Sequence, residues 1–204
     1  MKNPFRQVPL YNFLFYCNQH ELDKSVLDCG AGGMRPPLAL FAEYGYKTYG
    51  IDIDDRQLEK ARQYEEENNL KLNIIKGDMK SIMLDDQSVS FAYSYNSIFH
   101  MPKKEIAEAL REIRRVLKPG GYCFVNFVST DDMGFGEGEK AGEGEYIQNE
   151  EGETILHSYF DIDEAESYFV GFDVIFKERR IREGFMNDGE KVKLGYIDYI
   201  LEKK

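Results

Sequence analysis

Between Ser25 and Val128, short apolar runs alternate with stretches whose apolar residues recur at helical spacing. Val26 and Leu27 read as a buried strand ended by Asp28. Leu38, Leu40, Phe41 and Tyr44 then form a helix face that Gly45 closes, and K-T-Y-G-I-D reads as a second strand finishing at Asp52. Asp54 and Gln57 have capping-box spacing for a helix running to about Asn69. Leu72 to Ile75 and Val89 to Tyr93 predict two further strands, separated by a short link. Ile106, Leu110, Ile113 and Leu117 define a helix from about Lys103, which Pro119-Gly120-Gly121 stops before a fifth strand, Tyr122 to Val128. Ahead of this series, Leu10, Phe13, Leu14 and Cys17 share one face of an N-terminal helix, about Pro9 to Leu22. Regular alternation of strand and helix implies a largely parallel sheet with right-handed crossovers.

The pattern changes after Ser129. Residues 131–153 hold seven Glu and six Gly with almost no large apolar side chains, so this segment is expected to be a mobile lid or disordered. Ile162 to Phe169 reads as a helix. Phe172 to Ile181 and Val192 to Leu201 are β-rich and joined through Asn187-Asp188-Gly189, a hairpin signal that predicts an antiparallel pair closing the sheet. The reading is one domain, 1–204, with a lid-like insertion at about 131–157.

Composition narrows the partners. A formal charge of −11 and a pI near 4.9 disfavour phosphate backbones and anionic lipid surfaces, so neither nucleic acid nor a membrane is expected. Cys17, Cys29 and Cys123 are odd in number and widely spaced, which fits a reducing, cytoplasmic location better than a disulfide framework or a metal cluster. The apolar run after Lys2 and Arg6 is too short for a signal sequence, and no run reaches membrane-spanning length.

Candidate chemistry centres on S-V-L-D-C-G-A-G-G, Ser25 to Gly33. A strand, a glycine turn and a helix start bring bare backbone to a ligand and offer N–H groups to an anion. Arg35 stands where the dinucleotide fingerprint needs its third glycine, which disfavours a nicotinamide or flavin dinucleotide.

With these strand ends located, the ordered set L-D-C-G-A-G-G, G-I-D-I-D, K-G-D-M, S-Y-N-S-I-F-H-M and V-L-K-P-G-G resembles the class I S-adenosylmethionine-dependent methyltransferases. The resemblance runs from Ser25 to about Leu201. It implies a three-layer α/β/α fold around a doubly wound, mostly parallel seven-stranded sheet of order 3-2-1-4-5-7-6, with strand 7 antiparallel. It also implies S-adenosyl-L-methionine as cofactor and a small-molecule methyl acceptor. By that resemblance, Gly30, Ala31 and Gly32 approach the methionine part and Asp28 holds its ammonium. Asp52 takes the ribose hydroxyls, Asp78 takes the adenine amino group, and Ile53 and Met79 cover the ring. Tyr95 falls where the crevice opens. The chain departs from the family at Met34, often glycine, and at Ser90, usually aspartate.

Simpler roles stand beside these. Asp28 and Asp54 could cap helices and Asp78 a turn, whereas Asp52, flanked by Ile51 and Ile53, is hard to place as a strand residue. His100 reads as a packed histidine at a helix start; if a general base is needed, it comes first, with His157 or Tyr159 next. Asn96-Ser97-Ile98 lacks the double proline of amino-methylating nucleic-acid enzymes. Only Asp131 and Asp132 are available for a catechol-type metal site, so no metal is expected. Transfer of a methyl group to an O, N, S or C nucleophile is the leading function. A non-catalytic module binding S-adenosylmethionine or S-adenosylhomocysteine is the alternative, followed by a nucleotide-dependent oxidoreductase.

Overall fold

The computed structural model describes residues 8–150, 152–185, 189 and 191–204. Five strands carry the first half: β1 (Ser25–Cys29), β2 (Lys47–Asp52), β3 (Ile74–Lys76), β4 (Val89–Ser94) and β5 (Leu117–Ser129). Between them run α2 (Leu38–Glu43), α3 (Asp55–Asn68) and α4 (Lys103–Val116), with α1 (Val8–Gln19) ahead. The second half holds β6 (Glu139–Gly142), β7 (Glu145–Glu150), β8 (Glu153–Phe160), β9 (Phe172–Phe185) and β10 (Lys191–Lys203).

The main sheet has the order β3-β2-β1-β4-β5-β10-β9, with β10 antiparallel to both neighbours. With β9 and β10 in the places of strands 6 and 7, this is the order 3-2-1-4-5-7-6 that the sequence resemblance implies. Every residue of β1 and β4 is buried, as central parallel strands covered on both faces require. One face is closed by α4 through Ile106, Ala109, Leu110, Ile113 and Val116, a stripe at helical spacing. On the other, Phe13 of α1 meets the rings of Phe41, Tyr93 and Phe124 at 5.9–6.3 Å. Burying a side chain of that size contributes roughly 1.5–3 kcal/mol.

Three local expectations change. Residues 162–169 form only a 3-10 turn, Glu164–Tyr168, because Ala165 alone of the turn is buried and no apolar stripe exists to hold a longer helix. Pro119-Gly120-Gly121 lies inside β5, where the register against β4 shifts; at Gly121 a Cβ would meet the Ser90 carbonyl oxygen at 2.5 Å. The predicted Asn187-Asp188-Gly189 turn falls largely outside the described residues, although β9 and β10 pair from Phe185 and Lys191 onward.

The largest change concerns the insertion, which is folded. Strands β6, β7 and β8 form an antiparallel sheet of their own. Its hold is aromatic: Phe135 packs edge-on against Tyr146 and Tyr159, and Tyr159 joins a small core with Phe99 and Val128. The end of β8 then pairs in parallel with β5 at Val128 and Ser129. That is beyond the point where β4 leaves β5, at Val125. The inserted sheet therefore sits over the carboxyl ends of the central strands.

Candidate functional site

Aspartates fall at or just beyond the ends of three strands: Asp28 in β1, Asp52 ending β2, and Asp78 two residues past β3. After Asp28 the chain turns through Gly30, whose φ of +100° suits glycine. The loop's N–H groups are not left for an anion. Gly30 and Ala31 donate to the Ile51 carbonyl at 2.9 Å, Gly32 donates to Asp52 Oδ2 at 2.8 Å, and Gly33 donates to the Gln57 carbonyl at 2.9 Å. The six-residue α2 follows with no side-chain cap on its first N–H groups. Asp52 thus works as a clamp, because its Oδ1 also accepts from the Asp54 N–H at 2.9 Å. That bond takes the place that Gln57 would have had in a capping box, while Asp54 itself caps α3 by accepting from the Arg56 N–H at 2.7 Å.

Gly30 carries a further constraint, since a Cβ there would lie 2.1 Å from Ser97 Oγ and 2.4 Å from Ser97 Cβ. Gly30→Ala is therefore expected to lose about 1–3 kcal/mol, and Ser97→Ala should not restore it. Urea denaturation of the single and double variants checks this; full rescue would place the constraint in the hydroxyl alone.

Asp28 is 1% exposed, and its Oδ2 has no hydrogen-bond partner. Burial raises its pKa well above the usual carboxylate range. The neighbouring Tyr93 hydroxyl, too far for a formed hydrogen bond, opposes this, and the Asp52 charge adds to it. Such an acceptor fits a cationic group brought from outside.

Above these ends lies a cavity of about 790 Å³. Gly30, Gly32, Asp52 and Ile53 line one side, Asp78 and Met79 another, and Tyr95 and His100 the side toward β4. Of the candidate cofactor and base residues, Asp28, Ala31, His157 and Tyr159 do not line it; Ala31 is fully buried, and His157 and Tyr159 line a second cavity. Asp78 Oδ1 accepts from the Lys80 N–H at 2.8 Å. The roof, Glu153 to Leu156 of β8, falls within the lid-like insertion expected at about 131–157. The amide pair beside Tyr95 was not foreseen: Asn96 N–H donates to Asn126 Oδ1 at 2.8 Å and Asn126 Nδ2 donates to Asn96 Oδ1 at 2.7 Å. A positive φ of 54° at Asn96 is the turn that the Y-N-S sequence could have signalled.

His100 belongs to a 3-10 turn, Ile98–His100, and lies 3.3 Å through Nδ1 from the Leu156 carbonyl, which can only accept. Its ring meets His157 edge-on at 4.6 Å. Its enclosing neighbours and then His157 push its pKa down to about 4, while the carbonyls of Leu156 and Asn96 oppose this; the open side of the ring moderates the shift. Across the cavity mouth, Arg56 of α3 grips Glu153 of β8 with both guanidinium arms and also holds Asp54. At the opposite side Glu145 accepts from the Lys103 N–H at the start of α4, 2.6 Å away, and Ser158 Oγ donates to the Met101 carbonyl at 2.8 Å.

Residues 27–125 match the family model described as a methyltransferase domain. A 24-methylenesterol C-methyltransferase of Arabidopsis thaliana is 32% identical over 161 residues, 74% of this chain and 42% of that protein. A sarcosine/dimethylglycine N-methyltransferase of Halorhodospira halochloris is 31% identical over 113 residues, 54% of this chain and 38% of that protein. The chain thus spans less than half the length of these curated relatives. Among solved structures, a SAM-dependent methyltransferase of Methanosarcina mazei superposes with a TM-score of 0.73 at 23% identity, covering 93% of this chain and 96% of that one. Fold, site and family match together define a class I S-adenosylmethionine-dependent methyltransferase domain. The chain carries that domain, and S-adenosylmethionine is its cofactor.

Proposed function

We propose that the chain transfers a methyl group from S-adenosylmethionine to a nucleophile of a small molecule. The observation that carries this is the placement of Asp52 and Asp78 around one cavity over the carboxyl ends of the strands, with Asp28 buried in the neighbouring strand β1, where sheets of this kind bind ligands. The residues fit the group: the unpartnered Asp28 Oδ2, buried behind the cavity lining, suits its ammonium through water, and Gly30 and Gly32, whose Cβ positions Ser97, Gln57 and Asp52 already fill, bring bare backbone to the cavity. The carboxylate of Asp52 accepts one N–H at each oxygen and keeps acceptor capacity for ribose hydroxyls. Asp78 accepts from the adenine amino group, with Ile53 and Met79 at the ring.

When bound, the cofactor supplies an electrophilic sulfonium methyl group that passes to the acceptor and leaves a thioether. The chain's part is to align the reactants, worth roughly 7–11 kcal/mol when complete, and to exclude water, for which β8 forms the roof. His100, neutral at pH 7 by its lowered pKa, is the group placed to take a proton. The relatives act on a carbon of a sterol and on amine nitrogens by their names, so fold and family leave the accepting atom open.

Incubation with methyl-labelled cofactor and a metabolite panel tests the reading. Labelled product together with S-adenosylhomocysteine is expected; tight binding of the cofactor with no turnover on any acceptor would favour a non-catalytic module.

A further inference from the structure

Beneath the inserted sheet lies a second cavity of about 250 Å³, which shares no lining residue with the first. The His100–His157 ring contact stands at the partition, with His100 lining the first cavity and His157 the second. The phenyl ring of Phe99 and the phenol rings of Tyr159 and Tyr196 form its walls, and Met133 and Leu194 complete the apolar lining. Into this lining comes one carboxylate, Asp132.

Asp132 is half-buried. Its Oδ1 accepts from the Gly134 N–H and its Oδ2 from the Gly195 N–H, each at 2.9 Å, and among the described residues no Lys or Arg pairs with it. Its neighbour Asp131, in contrast, is taken by Arg179. Two backbone bonds leave further lone pairs on both oxygens. Half-burial of a carboxylate without a counter-charge is costly unless a cation arrives. Of the cations nearby, Arg179 and Lys193 act on Asp131, and Arg180, whose guanidinium lies 4.7 Å over one side of Tyr196, is held by Asp198 at 2.8 and 3.1 Å. Aromatic faces and an uncompensated carboxylate in one cavity attract an organic cation.

Size sets a second limit. A cavity of about 150 Å³ holds a benzene ring, so about 250 Å³ takes a small arylamine or alkylamine but not a four-ring skeleton. We infer that the second cavity binds the cationic amine group of the methyl acceptor, making this a site for small organic ammonium ions. This rests on the methyltransferase reading for its use, but not for its binding.

The test uses the full chain near pH 7.5, with benzylamine as the cationic probe and benzyl alcohol as the neutral one, followed by ligand-observed NMR. Benzylamine should bind about tenfold more tightly than the alcohol. Leu194→Lys, which puts a competing ammonium at the cavity's exposed edge, and Asp132→Asn should each remove the preference. Thermal melting identifies a variant that has lost its fold, and the other variant then decides. Equal affinity for the two probes, no binding of either, or a preference that survives both substitutions would overturn the inference. S-adenosylhomocysteine binding is measured alongside. Its absence with the amine preference intact would reject the methyltransferase reading alone; its presence without the preference would reject the amine site alone.

Discussion

Asp28→Asn is expected to make the free protein more heat-stable and to weaken its hold on the cofactor. The two effects share a cause. Asp28 lies inside the sheet with an oxygen that nothing in the chain satisfies, and burial raises its pKa. A carboxyl whose pKa is higher folded than unfolded takes up protons on folding. Its contribution is therefore full below the ordinary value of 3.8 and is lost as pH rises toward the raised one. At neutral pH, where the unfolded chain has this carboxylate ionised in water, burying Asp28 costs stability, and Asn removes that cost. Each kcal/mol recovered should raise the melting temperature by about 2–4 °C in a protein of this size. Hydrogen bonds to charged groups are worth about 1.5–3 kcal/mol, so cofactor affinity should fall roughly ten- to a hundredfold. Melting between pH 5 and 8, with calorimetric titration of S-adenosylhomocysteine, measures both. An Asn variant that melts lower and binds as before would remove Asp28 from the site.

Asp52→Ala should be the more damaging change for binding, because the residue does two things. It would accept the ribose hydroxyls, and it holds the glycine loop through Gly32 and the α3 start through Asp54. Alanine leaves both N–H groups without their acceptor, so the affinity loss should exceed the roughly ten- to a hundredfold that one lost charged bond explains. Asp52→Asn keeps one carbonyl oxygen and should fall between. Circular dichroism should show the rest of the fold unchanged, since the clamp lies at the cavity rather than in either core. Wild-type affinity in the alanine variant would refute the ribose assignment.

The glycine loop, Asp52 and Asp78 were legible in the sequence because each follows a short apolar run that reads as a strand, and strand ends place residues without knowledge of distant contacts; β3, before Asp78, is nonetheless largely exposed. Asp52 also stood out as an acidic residue between two isoleucines, and the clamp explains it. The insertion was not legible. Its glutamates and glycines conceal three aromatic residues, Phe135, Tyr146 and Tyr159, whose partners Phe99 and Val128 come from earlier in the chain, and β8 finds its parallel partner in β5. Composition reports what a segment can bury alone; here the surface it covers came from elsewhere. The amide pair and the second cavity went unseen for the same reason.

The chain leaves β5 at Ser129 and comes back at Phe160, and these two residues are paired neighbours in parallel strands. An excursion whose ends are fixed side by side can change along its length without altering the spacing of its roots. Its β6–β7 turn folds back onto one root, where the Gly144 carbonyl accepts from the Tyr159 N–H at 2.8 Å, and Glu145 beside it holds the start of α4. The glycine loop and the three strand-end aspartates lie outside the excursion, so the fold separates a constant floor from a roof that selection can reshape between fixed roots.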